Sequence, residues 1–313
     1  MAPAKRPEDL AGKVAALSIP ELDELRRLID RRLADLRRAE GGSLIERLSA
    51  ADTVELAALA VRRTGIRCRT LDTRESVTLR PHPGVRQEFA TQILTVQPRR
   101  AWAYGRTVYL SGAILDRRID AAALGLTPLT LEQIGAWQPE RGHEGATGEP
   151  PRPSFRMESI LPGFDPKDPG SDPILRAVEL AESEDWGAAH RALGECLEKD
   201  PRALDAHAHL GEWKFDDGRD RWHAKEALPH FEAGTAIGEL SLGPGFQGVL
   251  SGAVPENRPF LRCLRGLGLC RWALGDTAGA REAFSRLLQL DPDDAQGVRP
   301  WLREVSAGAE YAH

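Results

Sequence analysis

The sequence predicts a multidomain α+β protein: an N-terminal helical hairpin, a small antiparallel β-barrel and a C-terminal domain of repeated helices. Three observations support this prediction. Apolar residues recur at intervals of three and four before residue 64 and after residue 173, whereas they alternate with polar residues from about 66 to 120. A stretch rich in proline and glycine separates the last two patterns. We expect domains at 1–64, 65–137 and 173–313, joined by a linker at 138–172.

Length and composition indicate a globular protein. A chain of 313 residues can form two or three compact units. Its 41% hydrophobic and 28% charged residues exclude wholesale disorder and a collagen-like chain. The start of the chain lacks a long apolar signal region, and no run of 18 apolar residues occurs, so we expect a cytoplasmic protein without a membrane span. The four cysteines form no CxxC pair, which favours reduced, structural thiols.

The N-terminal segment predicts two helices. Ser18-Ile19-Pro20-Glu21 has the residues of a helix start, and an apolar stripe from Leu22 to Leu36 follows it. A second helix is expected from Leu44 to Arg63, after Gly41-Gly42. The apolar stripe of this hairpin needs a cover, either the rest of the chain or a second copy in a homodimer.

The β-region combines short strands with arginine. Residues 66–120 hold 10 Arg and no Lys against 5 acidic residues, and their five or six short strands are separated by turns. In size and turn spacing this unit resembles the SH3-like small barrels. Arginines interleaved with Trp102 and Tyr104 are typical of sheets that stack bases and neutralise phosphates, although both rings could equally belong to the core. The candidate nucleic-acid contacts are Arg99, Arg100, Arg106, Arg117 and Arg118.

The linker carries one apolar patch that interrupts its proline, glycine and charge. The patch consists of Phe155, Met157, Ile160 and Leu161. We expect it to pack on a neighbouring domain, so that the linker is not a flexible connection.

The C-terminal region contains an internal repeat. Offsets of four, three and five residues separate Ala189, Leu193, Cys196 and Pro201. The same offsets recur in a second set: Ala280, Phe284, Leu287 and Pro292. With Leu267-Gly268, the second set resembles the tetratricopeptide repeat (TPR), and residues 173–302 resemble a three-unit array of this family. The closing string from Leu290 to Arg299 resembles the ends of repeat segments in uncharacterised bacterial cytoplasmic proteins. The resemblance implies a groove that binds proteins rather than a catalytic site.

The middle repeat departs from this pattern. Leu210-Gly211 opens it, but Ala227 and Phe231 come four residues late and no proline closes it. The Gly- and Pro-rich segment 241–259 follows, and a loop of that length inside a repeat array is more often functional than accidental. The family's carboxylate clamp of Lys and Asn is absent, because Ile174 and Val178 stand at the matching positions.

The resemblance places the candidate partner site on the first helices of the repeats, which line the concave surface. Arg258, Arg262 and Arg265, at spacings of four and three, predict a cationic stripe for an acidic or C-terminal peptide, in a region with 16 basic and 23 acidic residues. Phe215, Leu269 and Trp272 would form the apolar floor, Asn257 flanks the stripe, and segment 241–259 would act as a lid. The alternative is that the stripe forms salt bridges with acids of the middle repeat such as Glu212.

Neither metal binding nor catalysis is expected. His207 and His209 on one helix point about 200 degrees apart, and we expect these and the nearby His223 and His230 to be ordinary surface and capping residues. No phosphate loop or nucleophile motif occurs, and no cofactor is predicted. The predicted function is a cytoplasmic adaptor or scaffold that binds a protein partner. The alternative is a nucleic-acid-associated protein whose barrel binds RNA or DNA while the repeats recruit a partner.

Overall fold

The computed structural model describes residues 42–84, 88–138 and 150–312, together with 18, 21, 22, 24–29 and 32. Its strands are β1 (Val54–Arg62), β2 (Gly65–Thr70), β3 (Ser76–Pro81), β4 (Ile93–Tyr104), β5 (Thr107–Arg118), β6 (Leu131–Trp137) and β7 (Arg152–Met157). Its helices are α1 (Leu44–Ala50), α2 (Pro173–Glu182), α3 (Trp186–Lys199), α4 (Leu204–Asp216), α5 (Arg221–Leu242), α6 (Arg258–Ala273), α7 (Thr277–Leu290) and α8 (Arg299–Ser306). Short 3₁₀ turns lie at Pro169–Ser171 and Pro255–Asn257.

The N-terminal segment differs from the predicted hairpin. Residues 21, 22 and 24–29 are helical, as expected. A capping box of Ser43 and Glu46 starts α1, but this helix ends at Ala50, and Val54–Arg62 is a strand. The predicted helix over Leu44–Arg63 is therefore wrong beyond its first two turns. The remainder of the hairpin lies outside the described residues.

The apolar run of β1 resembles a helix pattern because both faces of this strand are covered. Leu56 and Ala58 belong to the barrel core, whereas Ala57 packs on Ile93 and Leu124 outside it. A strand buried on both faces loses the alternation of polar and apolar residues that identifies most strands.

Five strands form a closed barrel in the order β1-β2-β3-β5-β4. β1 pairs with both β2 and β4, and these pairs are antiparallel. β3 and β5 run parallel, so the barrel is not entirely antiparallel as predicted. It begins at Val54, ahead of the expected boundary at 64, and its core includes Ile66, Leu79 and Leu110.

The region predicted as a linker contains a strand. β7 pairs with β6 and also meets the segment between α5 and α6, where Phe155 N donates to Val249 O at 2.8 Å. Met157 is fully buried, and Phe155 and Ile160 pack on the same cluster of the repeat region. The predicted docking of this apolar patch is confirmed, and it ties residues 152–161 to the helical repeats.

Six helices form the three predicted pairs α2–α3, α4–α5 and α6–α7, and α8 packs on the last pair. Within the last pair, a Cβ at position 268 would overlap the ring of Phe284, so only glycine permits this close approach of α6 and α7. Gly211 and Phe231 are related in the same way in the middle pair. The structure thus confirms the packing inferred from the repeat spacing. None of the described helices is long and apolar enough to cross a membrane.

Candidate functional site

The predicted cationic stripe lies on α6, and the charges of Arg262 and Arg265 are paired with carboxylates of α4. Arg262 donates to Asp205 Oδ1 at 2.8 Å and from Nε to both carboxylate oxygens of Glu212 at 3.1 Å. Arg265 donates to Glu212 Oε1 at 2.7 Å. Arg258 donates through Nε to Gly252 O at 2.9 Å. Arg262 and Arg265 therefore form the salt bridges with the middle repeat that the alternative predicted, whereas Arg258 bonds to a backbone carbonyl.

This ion-pair network is mostly shielded from solvent. Side-chain exposure is 20% for Arg262 and 17% for Glu212. Burial raises the pKa of the Glu212 carboxyl, but the hydrogen bond and charge of Arg262, with the charge of Arg265, outweigh burial, and the pKa is lowered. Burial also lowers the pKa of His209, and the adjacent Arg262 adds to this. The network holds α4 against α6, which is a structural role.

The predicted apolar floor is covered by the end of the described chain. Phe215 and Trp272 are each 4% exposed. Trp272 Nε1 donates to Ala309 O at 2.9 Å, and the ring of Tyr311 lies edge-on to that of Trp272 with centroids 5.4 Å apart. Residues 309–311 therefore occupy the position where a partner peptide was predicted.

Asn257 is completely buried and joins two segments of the chain. Its amide nitrogen donates to Phe155 O and Ser251 O at 3.0 and 3.1 Å, and its Oδ1 accepts from Met157 N at 2.9 Å. Asn257 is thus a structural residue rather than the partner contact that was predicted.

Segment 241–259 is fastened between β7 and α7. Val249 N donates to Pro153 O, and Leu250 N donates to Leu290 O, both at 2.8 Å. These hydrogen bonds hold the segment against β7 and α7, so it cannot serve as the predicted lid over Phe215 and Trp272.

An aromatic cleft lies on the repeats at a place that the sequence analysis did not identify. It has a volume of about 660 Å³ and lies among α3, α4 and the start of α5. Trp186 and Trp222 are 49% and 62% exposed, and Trp186 stands edge-on to Trp213 with centroids 5.7 Å apart. Its remaining lining residues are His190, Lys214, Asp216, Asp217, His223 and Glu226. The sequence feature that could have indicated this cleft is its tryptophan content, because three of the chain's 7 tryptophans lie between residues 186 and 222.

The candidate nucleic-acid residues fall into two groups. Arg117 pairs with the buried Glu88, and Arg118 pairs with Glu55 and Asp120 at 3.0 and 2.9 Å. Both charges are therefore paired within the chain, which is at odds with their prediction as ligand contacts. Arg99, Arg100 and Arg106 are exposed along or beside the β4–β5 hairpin.

Two buried histidines mark the contact between barrel and repeats, where only surface and capping histidines were expected. Phe89 of the barrel stacks on His230 with centroids 4.1 Å apart and stands edge-on to His207 at 5.8 Å. Burial lowers the pKa of His207 to about 4 and holds that of His230 well below its usual range. In the part of the chain that the structure describes, the Nδ1 atoms of both rings have no hydrogen-bond partner. Among the residues that the structure describes, no three His, Cys, Asp or Glu side chains are grouped to hold a metal ion.

Comparisons with known proteins agree with the repeat geometry. Residues 261–294, which span most of α6 and all of α7, match the tetratricopeptide repeat family. Over 33 residues the chain is 54% identical to the Protein CTR9 homolog of Arabidopsis thaliana, and this segment covers 10% of the chain and 3% of that protein. No solved structure matches the chain. The chain therefore contains a tetratricopeptide repeat, a module of the class that mediates contacts between proteins.

Proposed function

We propose that this protein is a scaffold that binds a protein partner through the aromatic cleft of its helical repeats. The observation that carries the proposal is the pair of exposed tryptophans, Trp186 and Trp222, on the cleft of an interaction module. Tryptophan contributes more than most residues to protein interfaces, since it buries a large rigid surface at a low entropy cost. Large apolar side chains exposed together over a cavity mark such a surface.

The cleft is a better candidate than the predicted arginine stripe. A new ligand at Arg262 would have to displace Asp205 and Glu212, which already bind this guanidinium. A peptide over Trp272 would have to displace residues 309–311. At the cleft, Trp222 is 62% exposed, so most of its ring is open to a partner.

The chemistry of the cleft favours a segment with an aromatic or aliphatic anchor side chain. Tryptophan and histidine rings form its walls, and Asp216 and Asp217 line it beside the partly buried Lys214. Because Arg262 and Arg265 already pair with Asp205 and Glu212, the arginine stripe gives no basis for proposing an acidic partner. We propose an apolar anchor as the main determinant of binding.

The test removes the two exposed rings and leaves the fold intact. The Trp186→Ala/Trp222→Ala variant and a Leu175→Ala control would each be purified from native cells, and the proteins that accompany them quantified by mass spectrometry. Leu175 is 48% exposed on α2 of the same repeats but does not line the cleft. A partner retained by wild type and the control and lost by the double variant supports the proposal. A partner retained by all three places the binding surface elsewhere.

The other predicted properties stay proposals. We propose that the scaffold is non-catalytic and cytoplasmic, a compartment favoured by its four buried free thiols. We also propose a homodimer through the helical residues 24–29, where Leu28 and Ile29 are 50% and 49% exposed. Sedimentation equilibrium of wild type and of Leu28→Glu/Ile29→Glu tests the dimer, which the variant should dissociate. A monomeric wild type, or a variant as dimeric as wild type, excludes this interface.

A further inference from the structure

The strand pairing places the arginines and aromatic rings of the barrel on one outer face. Leu79 and Leu110 are neighbours in the parallel β3–β5 pair and point into the core. The residues on either side of them, which include Arg80 and Tyr109, therefore point outward. Tyr109 lies opposite Trp102 in the β4–β5 ladder.

The same face extends to β2 and to the end of the β4–β5 hairpin. Arg67 pairs with Thr78 of β3 and is exposed. Arg100 and Tyr104 share the parity of Trp102 along β4, beyond the register shift between Pro98 and Arg100. We call this surface the arginine–aromatic face; it consists of Arg67, Thr78, Arg80, Arg100, Trp102, Tyr104 and Tyr109.

The side chains of the arginine–aromatic face form an ordered row across three strands. The rings of Trp102 and Tyr109 stack with centroids 5.4 Å apart and an interplanar angle of 12°. The guanidinium of Arg80 lies 5.5 Å from the Tyr109 centroid, and that of Arg100 lies 5.7 Å from the Trp102 centroid. Tyr104, at the end of the hairpin, is 79% exposed. Two stacked rings thus lie between two planar cations, an arrangement on which unpaired bases can stack while guanidinium groups contact phosphates.

The charge of this face is not balanced by the strands that form it. No acidic residue occurs in β2, β3, β4 or the first half of β5. Within the described part of the chain, Arg67, Arg100 and Arg106 have no carboxylate at ion-pair distance. These cations therefore differ from Arg262 and Arg117, whose charges are used inside the protein.

From this geometry we infer that the arginine–aromatic face binds single-stranded nucleic acid, with bases on Trp102, Tyr104 and Tyr109 and phosphates on the arginines. This function is separate from the proposed protein binding at the tryptophan cleft. The closed five-stranded barrel, with β3 parallel to β5, holds these side chains on one face. The inference rests on the side chains themselves and not on the fold class.

A protein ligand is the competing occupant of this face. Three stacked or exposed rings, with guanidinium groups that have no carboxylate partner among the described residues, suit flat, negatively charged ligands better than a folded protein surface. If the occupant is a protein, single-stranded oligonucleotides should not bind this face at low salt, and this difference makes the two occupants distinguishable.

The experiment measures binding of fluorescein-labelled oligonucleotides to the full chain by fluorescence anisotropy. The probes are a dT 20-mer, a rU 20-mer and a mixed-sequence 20-base-pair duplex. Three to four phosphate contacts on single strands predict that raising salt from about 50 to 200 mM weakens binding about 20- to 50-fold. The duplex should bind more weakly, because paired bases cannot stack on the rings. The ratio between dT and rU identifies DNA or RNA as the preferred strand.

Variants then locate the binding surface. Tyr104→Ala/Arg106→Ala changes only exposed side chains at the hairpin end, and Trp102→Ala removes the central ring. Each should weaken single-strand binding about 5- to 100-fold. The control Arg176→Ala/Arg281→Ala removes two exposed arginines from the repeats and should bind within twofold of wild type. A loss in the face variants alone supports the inference. No binding at 50 mM salt, equal binding of the duplex, or an equal loss in the control overturns it, and the first result leaves a protein contact for this face.

Discussion

Replacement of Arg262 tests whether the network between α4 and α6 is structural. Methionine at this position keeps the length of the side chain and removes its charge. Glu212 would keep only Arg265 as a partner, and Asp205 would lose its guanidinium contact. Because both carboxylates are largely shielded, with 17% and 25% of their side chains exposed, water cannot fully replace the lost donor.

The expected loss of folding free energy lies between the values for a surface ion pair and for a buried ion pair. Removal of one partner costs about 3–5 kcal/mol for a buried pair, whereas an exposed pair contributes about 0–1 kcal/mol. For this partly exposed network we expect Arg262→Met to lower the free energy of unfolding by about 2 kcal/mol. At about 2–4 °C per kcal/mol for a unit of this size, the melting temperature of the repeats should fall by about 4–8 °C.

The assay is thermal and chemical unfolding followed by circular dichroism at pH 7. Arg281→Met on the exposed side of α7 is the matched control and should leave the melting temperature unchanged. In Arg262→Met/Glu212→Gln, part of the lost stability should return, because the unpaired carboxylate is gone. If Arg262→Met costs less than about 0.5 kcal/mol, the network is not structural, and the arginine stripe becomes a candidate binding surface again.

The pH dependence of the same variant gives an independent check. The pKa of Glu212 is lower in the folded protein than in the unfolded chain. The stabilisation by Arg262 is therefore complete above the unfolded pKa of about 4.5 and is lost as the pH falls through the lowered folded pKa. The difference between wild type and Arg262→Met should shrink below pH 4, and a difference that stays constant would contradict this assignment.

Three further predictions concern the core. The pKa of His207 is about 4 in the folded protein, and that of His230 also lies well below its usual range. The contribution of both rings to stability should be complete above the unfolded value near 6.5 and fall as the pH is lowered, and His207 should account for about 1.4 kcal/mol per pH unit down to pH 4. His207→Gln should reduce the slope measured by chemical unfolding between pH 4 and 7 by this amount; an unchanged slope would mean that His207 does not contribute to it. Gly268→Ala should destabilise the repeats by about 1–3 kcal/mol through overlap with Phe284, whereas Gly194→Ala, with open space around its Cβ, should be neutral or stabilise by up to about 1 kcal/mol; similar effects of the two would exclude the close-packing argument. Thiol titration of the denatured, non-reduced protein should count four free thiols, and a lower count would contradict the free cysteines Cys68, Cys196, Cys263 and Cys270.

The repeat architecture was accessible from the sequence because it depends on short-range spacing. The offsets that join Ala280 to Phe284 place both on one face of α7, and Gly268 opposite the ring leaves it room. The strand content of the barrel was accessible for the same reason. β1 was not, because its second apolar face packs on Leu124, a residue far away in the sequence.

For the binding surfaces, the sequence indicated which types of residue take part, but it did not indicate where they lie in the fold. The sequence alone identified an arginine-rich barrel, a tetratricopeptide repeat and an apolar patch that docks at residues 155–161, since composition and periodicity are local properties. Only the tertiary structure decided that Arg262 is neutralised by Asp205 and Glu212, that residues 309–311 cover Trp272, and that Arg80, Tyr109 and Trp102 form one row. The physical reason is that the pairing of a charge or a ring depends on which distant segments the fold brings within a few ångströms, and helical or strand periodicity carries no information about those distances.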